Sequence, residues 1–272
     1  YNPDVNGHWM CDTGRDVYKF VNKDARLVDA KVVANGKYDF IHAREIAGRL
    51  GQTLKGQGKS AALVLTGSYT NEEYESLISY FKNEVGSNAI FHWINNPETF
   101  DSFDGILFRG DRNPNTRGLM DAMKASGATG TWKELVDSIN TGAIKTVVVA
   151  GPENQAAFPD MKAKIAELSK ASKLVWLTSG KNAELDELTG DVALVPVKSY
   201  IEKSGTFVNH AGLAQKVERV MTIVPGALSL TELVQGMRGD MIASEESHAG
   251  FKPNKVGTGR INNEFTLTRG VW

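Results

Sequence analysis

The 272-residue chain has a single cysteine, Cys11. One thiol excludes an internal disulfide. It also excludes a complete cysteine-ligated cluster built from this chain alone, since such clusters are normally held by four thiolates. No apolar run approaches the roughly 20 residues that a membrane helix needs. Neither sign of charge is in excess: 31 Lys and Arg stand against 32 Asp and Glu. The electrostatic footprint of a nucleic-acid-binding protein is therefore missing. The five histidines, His8, His42, His92, His210 and His248, fall in no H-x-x-x-H or H-E-x-x-H spacing. A mononuclear metal hydrolase has no support. No G-x-S-x-G marks a serine nucleophile. No G-x-G-x-x-G follows an expected strand, so a Rossmann dinucleotide fingerprint is missing too.

What is present reads as an ordinary globular chain, 41% hydrophobic and 23% charged. Val32-Val33 and Tyr38, Phe40 and Ile41 flank Asn35-Gly36, a strong type I′ hairpin signal. Ala43, Ile46, Ala47, Leu50 and Leu54 follow at helical spacing. Short apolar runs at 61–66, 88–94, 105–108, 146–150, 173–177 and 192–197 read as buried strands. Between them lie helical patterns. Thr70-x-x-Glu73, Thr131-x-x-Glu134 and Ser229-x-x-Glu232 are capping boxes that open three of these helices. Gly142 is expected to close one. A short helix around 183–188 precedes the run at 192–197, and a strand around 217–223 is expected after it. Strand–helix–strand repetition predicts an α/β fold, a mostly parallel sheet flanked by helices and built as two βα-rich halves. Pro196 cannot donate to a sheet ladder, so the strand over 192–197 ends there or lies at an edge. Gly56-Gln57-Gly58-Lys59-Ser60 lacks the first glycine of a phosphate loop and precedes a strand, so it reads as a surface turn. The chain opens on turn residues at Tyr1 with no signal-peptide pattern. It reads as a piece of a longer protein, with 1–27 loosely tied down.

Three patches carry a family resemblance. The stretch 202–215 runs Glu202-Lys203-Ser204-Gly205-Thr206-Phe207-Val208-Asn209-His210-Ala211-Gly212-Leu213-Ala214-Gln215 as a glycine-punctuated loop. Residues 134–154 run from an acidic helix through Gly142-Ala143-Ile144-Lys145 and a strand to Gly151-Pro152-Glu153-Asn154. Near the start, Cys11-Asp12-Thr13-Gly14-Arg15 is a C-D-x-G-R segment. In their order along the chain the patches resemble the molybdopterin oxidoreductases. The resemblance is strongest to the branch formed by the large iron–sulfur subunit of bacterial NADH-quinone oxidoreductase, respiratory complex I. Val224-Pro225-Gly226-Ala227 and the loop 109–119 fit as well. An acidic residue and an arginine usual in the closing motif are Ala211 and Leu213 here.

The resemblance implies a molybdopterin-oxidoreductase-like (formate dehydrogenase-like) α/β domain over 28–238. The tail of an iron–sulfur segment would occupy 1–27, and 239–272 would be an irregular C-terminal tail. It implies a non-catalytic scaffold domain in an oxidoreductase that passes electrons from NADH through iron–sulfur clusters to quinone. Cys11 would be one cluster ligand, the rest of the set and the 4Fe-4S cluster belonging to the full-length protein, and molybdopterin would not be bound. A vestigial cofactor cleft would involve Arg109, Asn113, Gly151, Glu153, Asn209 and Gly212. Partners would be the other subunits of NADH-quinone oxidoreductase, with no nucleic acid and no direct membrane insertion. The location would be cytoplasmic, peripheral to the inner membrane through those subunits. Arg109, Asp111, Arg112 and Arg117 read either as an anion site or as a solvated, salt-bridged turn. Two other readings stay open: a fragment of an active formate dehydrogenase or nitrate reductase type of enzyme, and a small-ligand module using Ser68, Asn113, Gly151 and Asn209 at the sheet edge.

Overall fold

A computed structural model describes residues 3, 6–10, 15, 23–95, 101–106 and 109–242. The expectations for Cys11, Gly14, residues 107–108 and the tail beyond 242 lie outside these residues.

The chain is α/β, with one seven-stranded, mostly parallel sheet flanked by helices. A hairpin opens it: β1 (Ala30–Ala34) and β2 (Lys37–Ile41) pair antiparallel. Asn35 and Gly36 both hold positive φ, 52° and 74°, which the type I′ turn requires. Helix α1 (Ala43–Lys55) follows, then β3 (Ala61–Leu65), α2 (Asn71–Tyr80) and β4 (Ile90–His92). After α3 (Thr116–Ser126) and α4 (Trp132–Asn140) come β5 (Thr146–Ala150), α5 (Met161–Leu168) and β6 (Lys173–Thr178). A short α6 (Ala183–Asp186) leads to β7 (Val192–Pro196). A small separate hairpin, β8 (Gly205–Val208) with β9 (Ala214–Val217), and α7 (Leu230–Arg238) complete the described fold.

The sheet order is β2-β1-β7-β6-β5-β3-β4, with β7 to β4 parallel and β1 antiparallel to both of its neighbours. Strands β3, β5 and β7 are buried along their whole length, because helices cover both faces. One face packs Leu63, Leu65, Val148 and Val195 against α1, α2, α3 and α7. The other packs Val64, Val147, Val149 and Trp176 against α4 and α5. All three expected capping boxes form, each with both reciprocal hydrogen bonds. Gly142 stands just past the end of α4 with φ 75°. β7 ends at Pro196, in the sheet interior between β1 and β6.

Four details depart from the sequence reading. Residues 105–106 bend rather than extend. The loop expected over 202–215 folds as the β8–β9 hairpin, and the strand expected over 217–223 ends at Val217. Residues 23–27 are firmly held: Leu27 N–H donates to the Ser179 carbonyl at 3.2 Å and Lys181 N–H to that of Ala25 at 2.9 Å. No helix among the described residues is long and apolar enough to cross a membrane.

Candidate functional site

In an open α/β sheet, ligands collect at the carboxyl ends of the strands, where the strand order reverses. Here the chain leaves β3 for β4 on one side and returns to β5 on the other. The switch point therefore lies between β3 and β5, under the loops 66–70 and 151–154.

Among the described residues, the chain's own side chains pack into that crevice. Tyr69 is buried, and its hydroxyl donates to the Gly151 carbonyl at 2.7 Å. Tyr74, also buried, donates to the Thr66 carbonyl at 2.7 Å and accepts from Tyr69 N–H at 3.2 Å. Thr66 Oγ1 donates to the Ala150 carbonyl at 2.9 Å, stitching the two strand ends together. Gly151 lies against the Trp176 indole, and Gly67 lies where a Cβ would come 2.7 Å from that of Asn113. At both glycines the neighbouring side chain has taken the space. The N-terminus of α2, the ready place for a phosphate in such a fold, is occupied by the chain's own acids. Glu73 closes the capping box with Thr70. Glu72 accepts from Thr206 N–H at 2.8 Å and Thr206 Oγ1 at 2.7 Å, pinning the β8–β9 hairpin there. Burial pushes the Glu72 carboxyl up, but these two donors lead the opposing contacts that hold it below its usual range.

Beside the crevice lies a buried ionic cluster. Arg26, fully buried, meets Glu202 at 2.5 Å and donates through Nε to the Ser179 carbonyl at 2.7 Å and through Nη2 to that of Val197 at 3.1 Å. Glu202 also accepts from Ser199 N–H at 3.0 Å and from Ile223 and Val224 N–H at 2.8 Å each. Burial alone raises its pKa; Arg26 and the three backbone donors reverse that and leave it lowered. Lys203, buried, pairs with Glu73 at 2.9 Å and lies 4.6 Å over the Tyr69 ring. Glu73 reaches on to accept from Leu230 N–H at 2.9 Å, so one carboxylate caps both α2 and α7. Glu153 accepts from Tyr200 N–H at 3.1 Å, and its own N–H donates to Ser68 Oγ at 3.1 Å. Burial pushes its carboxyl up to about 7, against the pull of Lys203 and Arg26. Burial and the nearby Glu153 charge hold the Tyr69 hydroxyl well above its usual range.

No protein-family model matches the chain, and no curated protein matches it.

The residues singled out in the sequence meet only in part. Gly151 and Glu153 sit in the switch-point wall. Asn113 closes its rim, donating to Asn95 Oδ1 at 2.7 Å. Arg109 stacks on the Phe103 ring at 4.0 Å. Asn209 and Gly212 form the tip of the β8–β9 hairpin: Asn209 Oδ1 accepts from Ala211 and Leu213 N–H at 3.0 and 2.9 Å, and Gly212 takes φ 86°. The Asn209 side-chain oxygen is thus spent on the turn. His210, beside them, is held below its usual pKa by burial first and by the Arg109 charge second. Arg117 pairs with Asp121 at 3.0 Å on the exposed face of α3, as a solvated turn would. No group of three or more metal-ligating side chains exists among the described residues. A groove of about 530 Å³ lies on the flank between α2 and α3, lined by Glu75, Ile78, Lys82, Gly118, Asp121 and Ala122. Two of its charges are already engaged, Lys82 with the Ser126 carbonyl and Asp121 with Arg117.

Sequence reasoning missed Arg26 and Tyr69 and gave Glu73 only its local capping role. The Glu202-Lys203 pair was visible as a motif. That two adjacent charges turn into separate buried ion pairs was not.

Proposed function

We propose that this chain is a scaffold domain of the molybdopterin-oxidoreductase-like kind, from the large iron–sulfur subunit of an NADH-quinone oxidoreductase, and that it carries no molybdenum cofactor at the sheet edge. The ordered resemblances at 11–15, 142–154 and 202–215 support the family. The observation that carries the loss of cofactor chemistry is the filled crevice. Tyr69, Trp176 and Asn113 occupy the switch point, and Glu72 and Glu73 take up the α2 N-terminus, where a pterin's phosphate arms would need donors. An anion there would face two carboxylates, and its ring system would need the space of buried side chains. The residues do not fit a molybdopterin. Cys11 alone does not make an iron–sulfur site, which takes four thiolates. In this reading the rest of the ligand set lies elsewhere in the full-length protein. The domain then contributes a rigid wall: buried ion pairs fasten α2, α7, the β7 end and the 23–27 segment into one unit.

Metal analysis and a visible absorption spectrum on the full-length protein and on this chain test the reading. Iron in the full-length protein with molybdenum in neither is the expected result. Stoichiometric molybdenum with a pterin fluorophore overturns it and turns the 109–117 loop into a cofactor contact.

A further inference from the structure

Three of the five tryptophans in the chain lie in contact on one side of the sheet. Trp176, on β6, is fully buried; Trp93, just after β4, is 3% exposed; Trp132, the first residue of α4, is half-buried. The ring centroids are 6.2 Å apart from Trp176 to Trp93 and 6.0 Å from Trp93 to Trp132. The three indole N–H groups differ in a graded way. Trp176 Nε1 has no acceptor among the described residues. Trp93 Nε1 donates to Asp160 Oδ1 at 3.3 Å, and Trp132 Nε1 to Glu167 Oε2 at 2.7 Å. Packing accounts for indoles in contact. Buried indole N–H groups also usually find a partner; what neither rule calls for is the order, with no acceptor at the innermost ring and the shortest bond at the outermost.

We infer that Trp176, Trp93 and Trp132 form a one-electron relay that carries an oxidising equivalent from the sheet interior to the surface at Trp132. The oxidant belongs to the radical or high-valent-metal class and takes one electron from Trp176. Trp93 reduces the Trp176 radical cation, and Trp132 reduces Trp93. An indole that has lost an electron is a far stronger acid than indole itself, so the Trp132 N–H proton passes to the Glu167 carboxylate. A soluble one-electron reductant, such as a thiol, returns one electron to the neutral Trp132 radical, and the proton returns from Glu167.

The direction follows from the surroundings. A cation on Trp176 is desolvated with no proton acceptor, which is costly. Trp93 and Trp132 both have a carboxylate to take the proton, but the bond at Trp132 is the shorter and only there does the ring also touch water. The Lys164 ammonium lies 4.1 Å over the Trp132 ring. A cation there favours the neutral ring and opposes a second positive charge on it. Electron loss at Trp132 is thereby tied to proton loss. The relay stands whether or not the chain belongs to complex I.

The test uses the whole chain with Cys11→Ser, Trp9→Phe and Trp272→Phe, which leaves only the three relay indoles. A ruthenium polypyridyl label goes on Lys181→Cys, an exposed position just after β6, the strand that carries Trp176. A flash in the presence of a soluble electron acceptor makes the oxidant, and transient absorption separates the neutral indolyl radical from its cation. The expected product is a neutral radical whose formation slows in D2O. Trp132→Phe should lower its yield several-fold, and Glu167→Gln should shift the signal toward the cation. Trp93→Phe should cut formation of the Trp132 radical. Unchanged yield and spectrum in both Trp132→Phe and Glu167→Gln overturn the relay; both positions are half-buried, and each change keeps the shape of the side chain it replaces, an aromatic ring at 132 and an acceptor oxygen at 167.

Discussion

Replacing Glu153 by Gln should make the protein more stable at pH 8 and leave it nearly unchanged at pH 5. In the folded chain burial raises the Glu153 carboxyl from 4.5 to about 7. Between those values the folded state holds a proton that the unfolded state has released. Stability from this group is therefore complete below about pH 4.5 and declines as pH rises to about 7. At ~1.4 kcal/mol per pH unit, that interval is worth at most roughly 3.5 kcal/mol. Glu153 keeps partial contact with water, which screens the charge and lowers the figure to about 2 kcal/mol. Gln cannot ionise, yet its amide oxygen still accepts from Tyr200 N–H. Urea unfolding at pH 5 and pH 8, followed by circular dichroism, reads the difference between variant and parent. All other titrating groups are common to both proteins and cancel. A variant that gains nothing at pH 8 relative to pH 5, or that is weakened equally at both, refutes the argument.

The other changes test the same edge of the sheet. Glu202→Ala strands the buried Arg26 and should cost about 3–5 kcal/mol, measured as a lower urea midpoint. Because the Glu202 carboxyl is held below its usual range, its stabilisation is present at neutral pH and lost as pH falls through the lowered value. A parent that keeps full stability on acidification through that range counts against the pairing. Gly151→Ala drives a methyl into the Trp176 indole and should cost about 1–3 kcal/mol as overpacking, with a changed tryptophan emission. A neutral substitution there would mean that the crevice is open.

The regular parts of the fold were legible because their signals are local. Asn35-Gly36 specifies its own turn, and each Ser/Thr-x-x-Glu box supplies both halves of a cap within four residues. The buried strands announce themselves as unbroken runs such as Thr146–Ala150, where burial on both faces removes any alternation. The β8–β9 hairpin gave no such signal. Its strands are partly or wholly exposed apart from Val208, so nothing selects an apolar alternation. What holds it is the Glu72–Thr206 contact, between residues 134 positions apart.

The buried charges were hidden for a related reason. Arg26 lies in a polar segment that resembles a surface tail, and its hydrogen-bond acceptor Ser179 is 153 residues away. A buried guanidinium is tolerable only where several acceptors converge on it, and convergence is a property of the fold rather than of any window of sequence. The same holds for Glu73, whose local pattern says helix cap while its second oxygen fastens a helix 157 residues further on. The Thr131–Glu134 box, by contrast, is exposed and ends where it begins. The difference between the two is burial beside Lys203. Removing a carboxylate from the exposed box should cost one cap, whereas Glu73→Gln should loosen α2 and α7 together. Hydrogen exchange at the first turns of both helices separates these outcomes: faster exchange confined to α2 would show that Glu73 is only the cap its sequence pattern describes.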